Sequence, residues 1–188
     1  TRTIIHQVEV LRDMVNAFGE FAKEPQLKFE RFDFNRMLKE TVDLFEEEKK
    51  AKYFTVLLDD NIEFVEGDIK RMRQILNNIF KNSIDAIKNA SNPKITIISK
   101  LLTNEHKGYF ELKIIDNGHG FDPIFLENAF QPYVTTKPKG TGLGLAIVKK
   151  LVHEHLGLIS ADNNPDQGAC LTILLPIKQK IINLKKHE

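Results

Sequence analysis

The chain has 188 residues, 41% hydrophobic and 28% charged, enough apolar material for a packed core and too much for a disordered tail. Its 27 basic and 26 acidic side chains nearly cancel, which removes the electrostatic basis for nucleic-acid binding. No apolar run reaches the roughly 20 residues that cross a bilayer, no secretory leader is visible, and the single cysteine, Cys170, excludes an internal disulfide framework and a cysteine-held zinc.

These features lead us to expect a reduced, intracellular, globular chain. A start at Thr1 without Met, inside a helical pattern, leads us to expect a fragment. Apolar residues at Ile4, Val8, Leu11, Val15, Phe18 and Ala22 alternate steps of four and three. That is the spacing of a helix packed along a seam, and also of a plain amphipathic helix. Pro25 ends it, so 1–24 reads as helix and 25–28 as linker. Asp33 is placed to cap a helix with apolar positions Phe34, Met37, Leu38, Leu44 and Phe45. Residues 53–58 are strand formers. Asp68 caps a second helix with Ile69, Met72, Ile75, Leu76, Ile79, Phe80, Ile84 and Ile87 on its buried face. Residues 95–102 and 109–115 are β-type runs joined by polar 103–108, the pattern of a hairpin. A long irregular stretch over 121–141 precedes a helix from about 142 to 156, with Gly157 at its end. Strands over 158–161 and 169–175 flank a turn at 163–168. This order favours a two-layer α/β sandwich over 29–176, all helices on one face of the sheet, followed by a tail at 177–188.

Three elements carry chemistry. Asp116-Asn-Gly-His-Gly120 follows an apolar strand. Its glycines let backbone approach a ligand, and a strand-end Asp can accept from an exocyclic amine; a bare turn has the same composition. Gly140-Thr-Gly-Leu-Gly144 opens into the last helix, where free N–H groups and a positive dipole end suit phosphate. It is neither a P-loop, lacking a following Lys-Ser or Lys-Thr, nor part of a strand–turn–helix dinucleotide unit. On the second helix Asn78, Asn82 and Asp85 share a face. Neutral side-chain oxygens there can complete the shell of a hard cation already held by phosphates, or simply form a solvated stripe.

In this order the three elements closely resemble the ATP-binding domain of sensor histidine kinases, in the superfamily shared with gyrase, Hsp90 and MutL. The segment 78–85 resembles that family's N box, 116–120 its first glycine box, Phe130-Gln-Pro-Tyr133 its Phe box and 140–144 its second glycine box. The run from Pro132 to Val148 resembles nitrogen-regulation sensor kinases in particular. The resemblance implies a Bergerat-type ATP-binding fold with a mixed sheet, preceded by a stub of the helical dimerisation bundle. It implies ATP and Mg2+ as cofactors. Asp116 would hold the adenine amine, with Gly118 and Gly120 shaping the pocket. Asn82 would ligate Mg2+, and Asn78 would lie near the phosphates. Lys137 with Gly140, Thr141, Gly142, Leu143 and Gly144 would embrace the triphosphate as a mobile lid. Asn78 and Lys137 are the catalytic candidates, and Asp85 is carried over as nucleotide-binding.

Two positions depart from the family pattern. Asp85 stands where many of these kinases have Lys, and Ala86 where they have an aromatic. Asp85 is instead like the gyrase, Hsp90 and MutL ATPases. Those proteins place a Glu four residues before the metal Asn to activate water. Here that residue is Asn78, and an amide cannot serve as a general base. None of the six histidines carries the family's phosphoacceptor flanks. The implied reaction is transfer of the γ-phosphoryl group to a histidine upstream of Thr1, then to a response-regulator Asp. Implied partners are the chain's own dimerisation helices, a receiver domain and, in the full-length protein, a second copy; nucleic acid is not among them. The domain would be cytoplasmic and the whole protein membrane-anchored. The rival readings are an ATPase of the gyrase type and a non-catalytic nucleotide-sensing or scaffolding module.

Overall fold

Asp33 caps the first of the helices that build the core: its Oδ1 accepts the Arg36 N–H at 2.8 Å. In the computed structural model, residues 27–49, 51–62, 64–104, 107–137 and 140–177 are described, with 8, 12, 15 and 19 before them. The expected dimerisation helix over 1–24 and the tail over 177–188 therefore lie almost wholly outside the described residues. Positions 8, 12, 15 and 19 are helical. Among the described residues no helix is long and apolar enough to cross a membrane.

The elements run β1 (Glu30–Phe32), α1 (Phe34–Lys49), β2 (Phe54–Leu57), β3 (Val65–Gly67), α2 (Ile69–Ala86), β4 (Ile95–Asn104), β5 (Lys107–Asp116), α3 (Pro123–Leu126), α4 (Gly144–Glu154), β6 (Leu158–Asn163) and β7 (Ala169–Pro176). Five strands form one sheet in the order β2-β4-β5-β7-β6. Only β2 and β4 pair parallel, so the sheet is mixed as expected. Ile95 and Ile97, Phe110, Leu112 and Ile114, and Leu171, Ile173 and Leu175 are buried at every second position. The residues between them, such as Ile98, Lys113 and Thr172, stay partly exposed. The helices therefore cover one face. Aromatic contacts knit the layers, with Phe34 and Phe110 ring centroids 4.5 Å apart and Phe54 and Phe80 4.9 Å apart.

Four details differ from the sequence reading. Leu44 is 60% exposed. It stands at the edge of a buried stripe that runs through Phe34, Met37, Leu38, Thr41, Val42 and Phe45. A separate two-stranded antiparallel ribbon, β1 with β3, was not foreseen; three residues per strand leave too little period to detect. The irregular stretch contains the one-turn α3, capped by Asp122. Finally, α4 ends on Leu156 rather than on a left-handed glycine. Leu156 has φ 56, its N–H donates to His153 O and the Gly157 N–H to Val152 O, both at 2.9 Å. That pair of bonds is a Schellman end, which favours glycine at the left-handed position. Because Leu156 is 58% exposed, Leu156→Gly is expected to stabilise the fold by about 1 kcal/mol, read as a melting temperature about 2–4 °C higher. An unchanged or lower melting temperature would contradict this.

His155 joins α4 to the start of α2. It is fully buried; Nε2 accepts the Asp68 N–H at 3.0 Å, so Nδ1 carries the proton and donates to Leu151 O at 2.7 Å. Asp68 in turn accepts from Lys70 and Arg71 N–H to cap α2. Burial pushes the His155 pKa down, against the Leu151 carbonyl and the Asp68 charge, with Arg71 acting in the same direction as burial. The folded state thus holds His155 neutral where the unfolded chain takes a proton. Its contribution is complete above about pH 6.5 and falls with acidification by at most about 1.4 kcal/mol per pH unit. Urea midpoints between pH 8 and 5 are expected to drop more in the parent chain than in His155→Asn. Equal slopes would remove His155 as the cause.

Candidate nucleotide site

Asp116 ends the inner strand β5 and is 5% exposed. Its Oδ1 accepts the Gly118 N–H at 3.0 Å and the Ala169 N–H at 3.3 Å. Burial raises its pKa; those two N–H groups, the hydrogen-bonded Ser83 hydroxyl and His119 offset part of that. A carboxylate held this way gains from a further donor aimed at it, and an exocyclic amine is such a donor.

The glycines around it are required by contact. A Cβ on Gly118 would lie 2.6 Å from Ala86 O and 2.7 Å from Ala86 Cβ. The place over Ala86 is therefore filled by the loop itself, which accounts for a small residue there. Gly120 has φ 71. Beside it the Asn163 side chain pairs with Phe121 backbone, accepting its N–H at 2.7 Å and donating to its O at 2.9 Å. Asn117 works outward, accepting the Lys94 N–H at 2.8 Å and donating to Asn92 O at 2.7 Å.

The phosphate end is built from α2, α4 and the loop between α3 and α4. Lys137 Nζ lies 3.3 Å from Asn82 Oδ1 and 3.0 Å from Asp85 Oδ2. Asn78 sits half-buried one turn before Asn82. The first residue of α4, Gly144, comes close to Asn82, whose Nδ2 would lie 3.7 Å from a Cβ there. The N-terminus of α4 has no side-chain cap, so its first N–H groups are available to an anion. The loop before it is tightly wound. Gly142 has φ 66, its O accepts the Tyr133 N–H at 3.0 Å, and a Cβ on it would fall 2.5 Å from Tyr133 C. At Gly140 a Cβ would fall 2.6 Å from Thr135 Oγ1. Phe130 packs on the core with Lys149 Nζ 5.9 Å from its ring centroid.

Of the residues expected from sequence, Asp116 and Gly118 meet α2 at Ser83 and Ala86, and Lys137 and Gly144 meet it at Asn82, whereas Gly120, Gly140 and Gly142 pack against their own and neighbouring loops. The Leu143 side chain is buried at 1% exposure and belongs to the core. Thr141 Oγ1 accepts the Leu143 N–H at 3.3 Å and serves the turn. Among the described residues no group of three His, Cys, Asp or Glu is placed to hold a metal. The Asn82 amide oxygen, now 3.3 Å from Lys137 Nζ, is of the kind that completes the shell of a cation brought in by phosphates. The donor set fits a nucleotide: a buried acceptor for the base, and an ammonium with uncapped helix amides for phosphates.

Three contributors escaped the sequence reading. Ser83 is a buried hydroxyl on the apolar face of α2; a polar residue at the spacing of Phe80, Ser83 and Ile87 was the signal available. Gly168, φ 92, and Ala169 press on Asp116 from the β6–β7 turn, and nothing local in the sequence links them to it.

Residues 67–179 match the sequence family described as histidine kinase-, DNA gyrase B-, and HSP90-like ATPase. A putative sensor histidine kinase NtrY-like protein of Rickettsia bellii is 29% identical over 192 residues, covering 100% of this chain and 30% of that relative. The chain therefore spans under a third of that relative's length. The nucleotide-free catalytic domain of histidine kinase ThkA is similar at TM-score 0.69 and 31% identity, over 80% of this chain and 96% of that one. Histidine kinase ThkA in complex with response regulator protein TrrA is similar at TM-score 0.75 and 28% identity, over 94% of this chain and 50% of that one.

Proposed function

The chain belongs to the histidine kinase-, DNA gyrase B-, and HSP90-like ATPase family, as an ATP-binding catalytic domain of the sensor histidine kinase type, and we propose that it transfers the γ-phosphoryl group of Mg-ATP to a histidine outside these 188 residues. From there the group would pass to an aspartate of a response regulator, the kind of partner named with the ThkA kinase. The observation that carries the reading is the convergence of Lys137, Asn82 and the uncapped start of α4 on one helix face. Asp116 and Ser83 lie on the neighbouring part of that helix and loop.

Asp116 accepts from the adenine amine and thereby selects the base. Asn82 offers its amide oxygen to the Mg2+ that the phosphates carry. Lys137 and the first N–H groups of α4 oppose the negative charge that spreads over the transferring group. Bound Mg-ATP supplies the electrophilic phosphorus. Asn78 cannot take a proton from water, so these residues stabilise transfer without promoting hydrolysis. The acceptor would be carried by dimerisation helices, pairing two copies in a membrane-anchored protein with this domain in the cytoplasm.

The test uses γ-labelled ATP, with acid lability identifying phosphohistidine. The chain alone is expected to bind ATP and stay unlabelled. A separately supplied helix pair with the phosphoacceptor motif is expected to be labelled in trans. Sustained phosphate release would favour the ATPase reading, and binding without transfer the scaffolding one. Stoichiometric acid-labile label on the chain alone would defeat the assignment of an outside acceptor.

A further inference from the structure

Asp85 is the carboxylate of the face shared with Asn78 and Asn82, and both of its oxygens are already committed. Oδ1 lies 2.7 Å from Lys88 Nζ and Oδ2 lies 3.0 Å from Lys137 Nζ. Burial pushes its pKa up, yet the two lysines outweigh burial and hold it below the usual carboxylate range. Lys88 lies in the turn just past the end of α2, three residues after Asp85, so it holds the carboxylate at its own helix end. Lys137 arrives from a loop 52 residues away. Paired with two ammonium groups, the carboxylate is engaged with cations on its own protein, and its charge repels phosphate.

Lys137 depends on such a partner. Its ammonium sits between Asp85 and the amide oxygen of Asn82, the atom assigned above to the cation. A magnesium ion on that oxygen would stand at about 2.1 Å, too close to an ammonium on the same oxygen to avoid like-charge repulsion. The ammonium must then leave Asn82, and Asp85 decides where it goes. We propose that Asp85 is a positioning residue for Lys137: it keeps the ammonium at the phosphate end and acts as its pivot when Mg-nucleotide takes Asn82. This rests on the roles given above to Asn82 and Lys137, and it withdraws Asp85 from direct nucleotide contact.

The 188-residue chain is compared with Asp85→Asn, Asp85→Glu, Lys137→Gln and the Asp85→Asn/Lys137→Gln double variant. The first readout is amide exchange at residues 134–137 without nucleotide. Exchange is expected to be several-fold faster in Asp85→Asn and in Lys137→Gln, no faster still in the double variant, and restored in Asp85→Glu. The second is calorimetric affinity for ATP and for ADP in Mg2+. Asp85→Asn is expected to weaken ATP binding about threefold, to spare ADP, and to add nothing in the Lys137→Gln background. Unchanged exchange in Asp85→Asn, equal loss for ATP and ADP, or an effect that persists without Lys137 would overturn the proposal. If the parent chain bound no ATP, the functional reading would fail, and the exchange data would still decide whether Asp85 positions Lys137.

Discussion

Asp116→Asn is expected to weaken ATP binding by about one to two orders of magnitude while leaving the fold almost intact. The asparagine keeps an Oδ1 that can accept the Gly118 and Ala169 N–H groups, so the loop retains its backbone partners. Its second atom becomes an NH2 donor facing the adenine amine, and the charged hydrogen bond is lost. Such a bond in a buried pocket is worth about 1.5–3 kcal/mol, so the dissociation constant rises about 10- to 150-fold. Asp116→Ala is the harsher change. It strips the acceptor from two backbone donors and from the Ser83 hydroxyl, leaving buried groups unpaired at about 1–3 kcal/mol each. It should therefore lose both affinity and stability. Calorimetry and urea unfolding separate the two effects, and full ATP affinity in Asp116→Asn would sink the adenine assignment. Because burial raises the Asp116 pKa and the amine needs the ionised form, ATP affinity should fall on acidification before ordinary carboxylates titrate.

Gly168→Ala is expected to be strongly destabilising, although Gly168 lies on the β6–β7 turn and is not among the residues assigned to the nucleotide. A Cβ there would lie 1.9 Å from Asp116 O, 2.7 Å from Asp116 C and 2.9 Å from Asn117 Cα. All three are backbone atoms of the strand end that carries the acceptor, so no rotamer change relieves the overlap. The residue also has φ 92, which a side chain adopts only with strain. A loss above about 3 kcal/mol follows, and any protein that folds should bind ATP poorly because Asp116 is displaced. Gly144→Ala is the control for sterics, since its Cβ would meet Asn82 Nδ2 at an ordinary 3.7 Å. Unfolding midpoints give the comparison. Parity between the two variants would mean the β6–β7 turn does not press on Asp116.

Much of this site could be read along the chain because its parts are local. Asp116 with its glycines occupies five consecutive residues, and Asn78, Asn82 and Asp85 follow helical spacing. What spacing leaves open is the part each side chain plays. Leu143 looks like one more residue of a phosphate loop and is instead core. Asp85 reads as a nucleotide contact, and in the fold it pairs with Lys88 and Lys137. Those roles depend on neighbours that spacing does not name.

Local sequence places the long helices and the sheet strands, the residues that cap α1 and α2, and the order of the motifs. Caps and amphipathic stripes are set by residues one to four positions apart, so the pattern survives without a fold. Which distant segments meet is set by the packed fold. Ala169 reaches Asp116 across 53 residues and Lys137 reaches Asn82 across 55. The strand order β2-β4-β5-β7-β6 brings the β6–β7 turn to the end of β5. The packing of α4 beside α2 brings the uncapped amides to Asn82. Neither is encoded in any short window, because strand order and helix packing are chosen by burial of the whole apolar face at once.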